Sequence, residues 1–179
     1  TEILFFLDSI TSDEFTKIQK WISKFTSSLS PSEFTQALRV VVVQFSDIVL
    51  TNVDYQLNTA SDLAEFDLRL AVIRQIAKNT MTGKALSYVA EKTLPRCERF
   101  IFWALSSLKI FLLTLLFISL RAESLKTMIT FTDGGSRDHI RRDDIKTLQE
   151  QFDFMLAVGV GPSARDDELR MLSTKGLSI

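Results

Sequence analysis

Four oxygen-bearing side chains fall where a cation could be held. Asp8 closes the apolar run Glu2 to Leu7, and Asp133 closes the run Lys126 to Thr132. Ser12 opens a stretch of helical apolar periodicity, and Thr80 lies in a polar loop ahead of Gly83. Two carboxylates and two hydroxyls form an all-oxygen set, which suits a hard cation such as Mg²⁺ that takes few protein ligands and keeps its waters. No His or Cys lies nearby, which argues against zinc. Asp after a strand and Ser or Thr before a helix are also ordinary turn and cap residues, so spacing alone leaves both readings open.

The elements that must position these residues follow from pattern. Glu2 to Leu7, Arg39 to Phe45, Lys126 to Thr132 and Met155 to Val160 are short apolar runs, the signature of strands buried on both faces. Ile48 to Leu57 alternates and follows Ser46-Asp47, which predicts an antiparallel edge strand. Phe15, Ile18, Ile22, Phe25 and Leu29 mark a first helix, opened by Thr11 and Glu14 at capping-box spacing and followed by Pro31. Leu63 through Ile76 carry a second helix and Lys84 onward a third. A fourth starts near Asp143 and includes Phe152 and Phe154. A last one runs to Leu172, capped by Ser163 with Asp166 three positions on. Strand and helix alternate, so the fold class is α/β: a doubly wound, mostly parallel sheet with one antiparallel edge strand and helices on both faces. In such sheets ligands sit beyond the carboxyl ends of the strands, where Asp8 and Asp133 are expected.

Composition narrows the function. With 21 Lys and Arg against 22 Asp and Glu, the chain as a whole has no pull toward nucleic acid or anionic lipid. One cysteine, Cys97, forms no internal disulfide and has no His beside it to make it a nucleophile. His139, the single histidine, reads as a solvated loop residue within the mixed-charge run Arg137 to Asp144, itself a solvated helix entry. Glu168 to Arg170 read as exposed helix charges, and Trp21 and Trp103 as packing residues. No second Asp stands two residues beyond Asp8 and no Gly-rich phosphate loop is present, so a phosphatase-type enzyme is disfavoured.

Three stretches, in order, resemble the von Willebrand factor A-type (VWA) family of integrin inserts, matrilins and collagens such as type VI. FFLDSITS is similar to its Asp-x-Ser-x-Ser motif, NTMTGKAL to its Thr ahead of a Thr-Gly-Lys-Ala-Leu helix start, and ITFTDGGSRD to its Thr-Asp-Gly turn. VVVVQFSD and LAVGVGPSARDDELRMLST also match. The resemblance covers residues 1 to about 98 and 124 to 174. It implies a secreted, extracellular adhesion or matrix-assembly module rather than an enzyme. It also implies a metal-ion-dependent adhesion site of Asp8, Ser12, Thr80 and Asp133 holding Mg²⁺ or Mn²⁺. A carboxylate of a protein ligand, collagen or another matrix protein, would complete the metal's shell.

The chain departs from that pattern in three places. Ile10 stands where a Ser ligand is expected, so metal binding should be weak or absent; the alternative is a metal-independent structural module in a tandem array. Between Thr80 and Asp133 lies the apolar segment Phe100 to Leu120, charged only at Lys109 and bracketed by Arg99 and Arg121. It reads as an atypical insertion at about 100–121 in a single domain, 1–179: an extra packed element, a stretch foreign to the fold, or a membrane anchor long enough to span a bilayer. The resemblance also implies one more strand and a final helix after Ile179, hence a C-terminal truncation.

Overall fold

The computed structural model describes residues 1–8, 10–35, 37–47, 49–76, 79–93 and 125–174. The insertion at about 100–121, with Trp103, lies outside the described residues, as do Cys97 and residues 175–179. Among the described residues no helix is long and apolar enough to cross a membrane.

The strands β1 (Glu2–Leu7), β2 (Leu38–Phe45), β3 (Val49–Leu57), β4 (Lys126–Thr132) and β5 (Phe154–Gly159) form one five-stranded sheet in the order β3-β2-β1-β4-β5. β1 pairs in parallel with β2 and β4, and β4 with β5; β3 is the antiparallel edge, with an irregularity opposite Val42/Val43. β1 is therefore central, and successive side chains enter opposite cores because strand side chains alternate. Ile3, Phe5 and Leu7 pack with Phe15, Ile18 and Ile22 of α1 (Ser12–Ser27), Phe34 of α2 (Pro31–Thr35), and Phe66 and Leu70 of α3 (Asp62–Ala71). Leu4 and Phe6 join the opposite core. There they meet Ala85 and Leu86 of α4 (Thr82–Tyr88), Ile145 and Leu148 of α5 (Arg142–Gln151), and Leu169 of α6 (Asp166–Met171). A π-helical turn, Val89–Thr93, extends α4. Helices thus cover both faces of a mostly parallel sheet, the fold class expected.

Several boundaries differ from expectation. Pro31 starts a helix rather than merely following one: its fixed φ suits a first helical position, and Glu33 accepts from the Ser30 hydroxyl at 2.8 Å. The second helix stops at Ala71, not Ile76, because the Gln19 side chain of α1 donates to the carbonyls of Leu70 (2.8 Å) and Ile73 (3.1 Å) and satisfies the helix end from outside. Phe154 belongs to β5, where it is exposed, and not to α5. Ser163 does not cap the last helix; Arg165 stands at that position without a side-chain cap. Trp21 stacks on Phe25 with 5.3 Å between ring centroids, as a packing residue should. After α6 the chain returns to β5, where the Thr174 N–H donates to the Met155 carbonyl at 2.8 Å.

Candidate metal-ion site

The sheet order reverses between β1 and β4, since β1 leads to β2 on one side while β4 and β5 lie on the other. This is the switch point at which open α/β sheets bind ligands. Asp8 and Asp133 follow these two strands directly. Asp8 is fully buried, and its N–H extends the ladder by donating to the Phe131 carbonyl at 3.0 Å. Its Oδ2 accepts from the buried Thr132 hydroxyl at 2.7 Å, and the Thr132 oxygen accepts in turn from the Gly134 N–H at 3.0 Å.

The carboxyls of Asp133 and Asp8 act on each other from the neighbouring ends of β4 and β1. Burial pushes the Asp133 carboxyl above its usual range; Asp8 acts the other way, and the charges of Glu14 and Glu168 push it further up. Its Oδ1 is buried and has no hydrogen-bond partner among the described residues. A carboxyl pair at neighbouring strand ends favours a shared proton or a cation over two bare charges.

The other two expected ligands lie at the start of α1 and in the loop ahead of α4. Ser12 is exposed at the first position of α1. Thr11 caps that helix: its hydroxyl oxygen accepts from the Glu14 N–H, and Glu14 accepts from the Thr11 N–H and hydroxyl. Thr11 is thus committed to the helix start. Ile10 is 2% exposed and packs in the core beneath α1 and α3, while its carbonyl accepts from the Gln75 amide. Thr80 is partly buried, and its carbonyl accepts from the Arg137 N–H at 2.9 Å. That bond ties the loop of Thr80 to the loop that follows Asp133. Among the described residues no group of three or more His, Cys, Asp or Glu converges on a metal position, so hydroxyls would have to complete the set.

Two residues read as solvated charges are parts of this framework. Asp138 takes the N–H groups of Gly83 (2.9 Å) and Lys84 (2.7 Å) at the start of α4. The fit is close: a Cβ on Gly83 would stand 2.3 Å from the His139 carbonyl oxygen. Glu168, expected to be exposed, is 6% exposed and accepts from Gly135, Ser136 and Thr82. His139 is exposed, as its reading implied. An open groove runs from this loop along α6, lined by Ser136, Ile140, Arg141, Arg142, Arg165 and Met171 among others.

The family model for the von Willebrand factor type A domain matches residues 3–99. The chain belongs to this family. Human matrilin-1 is 28% identical over 98% of this chain, and the collagen alpha-1(XXI) chain of Xenopus laevis is 25% identical over 97%. The VWA chain spans 31% and 16% of the lengths of these relatives, respectively. Among solved structures, proximal thread matrix protein 1 from the mussel byssus covers the whole chain with a TM-score of 0.74 at 17% identity, and the chain covers 43% of it, a likeness of fold. Another structure of that protein, with a TM-score of 0.73 and 17% identity, covers the whole VWA chain, which spans 43% of it, and carries zinc in its MIDAS motif.

Proposed function

We propose that this VWA domain is a matrix-associated protein-binding module, extracellular in placement, with a degenerate metal-ion-dependent adhesion site. The observation that carries this reading is the Asp8–Asp133 pair at the switch point, with a buried, unpartnered Asp133 oxygen among acidic neighbours. Such a pair is matched to a divalent cation. Asp8 and Asp133 would hold it, with Ser12 and Thr80 offering hydroxyls, and Mg²⁺ or Mn²⁺ is the expected ion. The bound cation would supply an exposed positive charge for a carboxylate of a protein ligand, and no bond in that ligand is broken, so the module is not an enzyme. Matrix partners in general are supported by the proteins the chain resembles, a matrilin, a collagen chain and a thread matrix protein; a collagen ligand is the finer part of the proposal. The single-domain reading, with residues 100–121 as an insertion, is supported by β4 and β5 joining the sheet begun by residues 2–57.

A second reading is favoured by one observation. Ile10 is spent in the core, so the oxygen expected there is missing, and the domain would act as a metal-independent structural module. Thermal unfolding in Mg²⁺, Mn²⁺ or Zn²⁺ against chelator separates the two; zinc is included because the mussel protein's motif holds it. A ligand bound only by the folded state raises Tm. A rise with Mn²⁺ that disappears in Asp133→Ala supports the degenerate site. A Tm indifferent to every cation, with Ile10→Ser restoring a Mg²⁺ response, establishes the second reading instead.

A further inference from the structure

We infer that Glu168 is the positioning residue of the cation site: one buried carboxylate that fixes the Asp133 loop and the Thr80–Thr82 loop from α6. This rests on the reading of the site given above. After Asp133 come Gly134 and Gly135, both at φ +77°, a left-handed pair without side chains to stiffen it. The loop must be held from outside. Glu168 Oε2 accepts from two successive backbone donors, the N–H of Gly135 at 3.0 Å and of Ser136 at 3.1 Å. Its Oε1 accepts from the buried Thr82 hydroxyl at 3.2 Å, two residues past Thr80. The Ser136 hydroxyl oxygen then accepts from the Thr82 N–H at 3.2 Å, which closes the ring.

Nothing in this arrangement serves α6 itself. Glu168 is the third residue of that helix, a position from which a glutamate commonly reaches back to its own cap. Here Arg165 is the cap and the carboxylate is turned to two other loops. Groups behind a metal's ligands set ligand geometry, and their loss typically weakens binding by tenfold or more.

The test compares wild type, Glu168→Ala and Glu168→Gln by amide hydrogen exchange, under conditions where all three are folded, and by Mn²⁺ titration. Glutamine keeps an acceptor oxygen and its amide can face Thr82. In Glu168→Ala the amides of Gly135 and Ser136 should exchange at least tenfold faster than in wild type, while those of β2 and β3 keep their rates. Glu168→Gln should restore most of the protection. The Mn²⁺ dissociation constant should rise tenfold or more in Glu168→Ala and less in Glu168→Gln. Loop amides that are unchanged, or that accelerate only in proportion to the whole sheet, overturn the inference. If wild type binds no Mn²⁺, the proposed cation site fails, and Glu168 is still judged by the exchange data.

Discussion

Glu14 and Glu168 occupy the same place in two helices, the third residue of α1 and of α6, and do opposite things. Glu14 folds back on Thr11 and closes its own helix in solvent. Glu168 is buried and leaves its helix start without a side-chain cap, because its oxygens hold Gly135, Ser136 and Thr82. The difference lies in what stands opposite. α1 is capped by Thr11, which offers a local partner. α6 is capped by Arg165, which offers none, and faces a two-glycine loop whose Gly135 and Ser136 N–H groups find their acceptor in Glu168. Position along a helix sets where a side chain starts; the neighbouring loop decides what it does.

The contrast is open to measurement. Glu168→Ala removes the acceptor of two part-buried backbone N–H groups and of a buried hydroxyl and should cost about 3 kcal/mol by denaturant unfolding. Glu14→Ala loses an exposed capping box and should cost about 1 kcal/mol. Equal losses would erase the distinction.

The two glycines sharpen it. Alanine at Gly135 meets nothing within 4 Å and should cost only the left-handed backbone, about 1 kcal/mol. Alanine at Gly134 has the same φ and also brings its Cβ to 2.7 Å from the Arg165 backbone nitrogen, so it should cost more. If the two variants unfold alike, the contact between this loop and the start of α6 is not tight.

The smallest effect is electrostatic. Asp133 is raised by burial and by Glu14 and Glu168, so the folded state holds its proton more tightly than the unfolded chain does. Stability from this group is complete below the unfolded carboxyl value and is lost as pH rises through the folded one. In chelator, wild type should therefore lose Tm relative to Asp133→Asn as pH climbs from about 4 toward neutrality. Parallel Tm curves would remove the electrostatic argument for the site.

The sheet and the carboxylate pair were legible because each rests on local signals. β1 and β4 are short apolar runs that end at an Asp, and the α1 cap is spelled Thr-x-x-Glu. Ser30-Pro31-Ser32-Glu33 spells a cap too, and read that way it would have shown α2. The end of α3 was illegible because its terminating amide comes from Gln19, across 51 and 54 positions of chain. Glu168 read as a solvated charge because its neighbours Asp166, Asp167 and Arg170 are solvated. Its own partners lie 32, 33 and 86 positions away. Ile10 is the departure from the family pattern, and its place in the core gives that departure a packing reason.

The central place of β1 also dictates an order of assembly. One edge of β1 is completed by β2, early in the chain; the other waits for β4, and the Thr132 hydroxyl reaches Asp8 across 124 positions. Contacts this distant carry a large loop-closure cost and are gained late. Pulse-labelled exchange should find the β2–β3 ladder protected before β4, and simultaneous protection would contradict this order. A nascent chain that has made only its first half therefore shows an open, apolar strand edge, the feature most prone to pairing with a neighbouring chain.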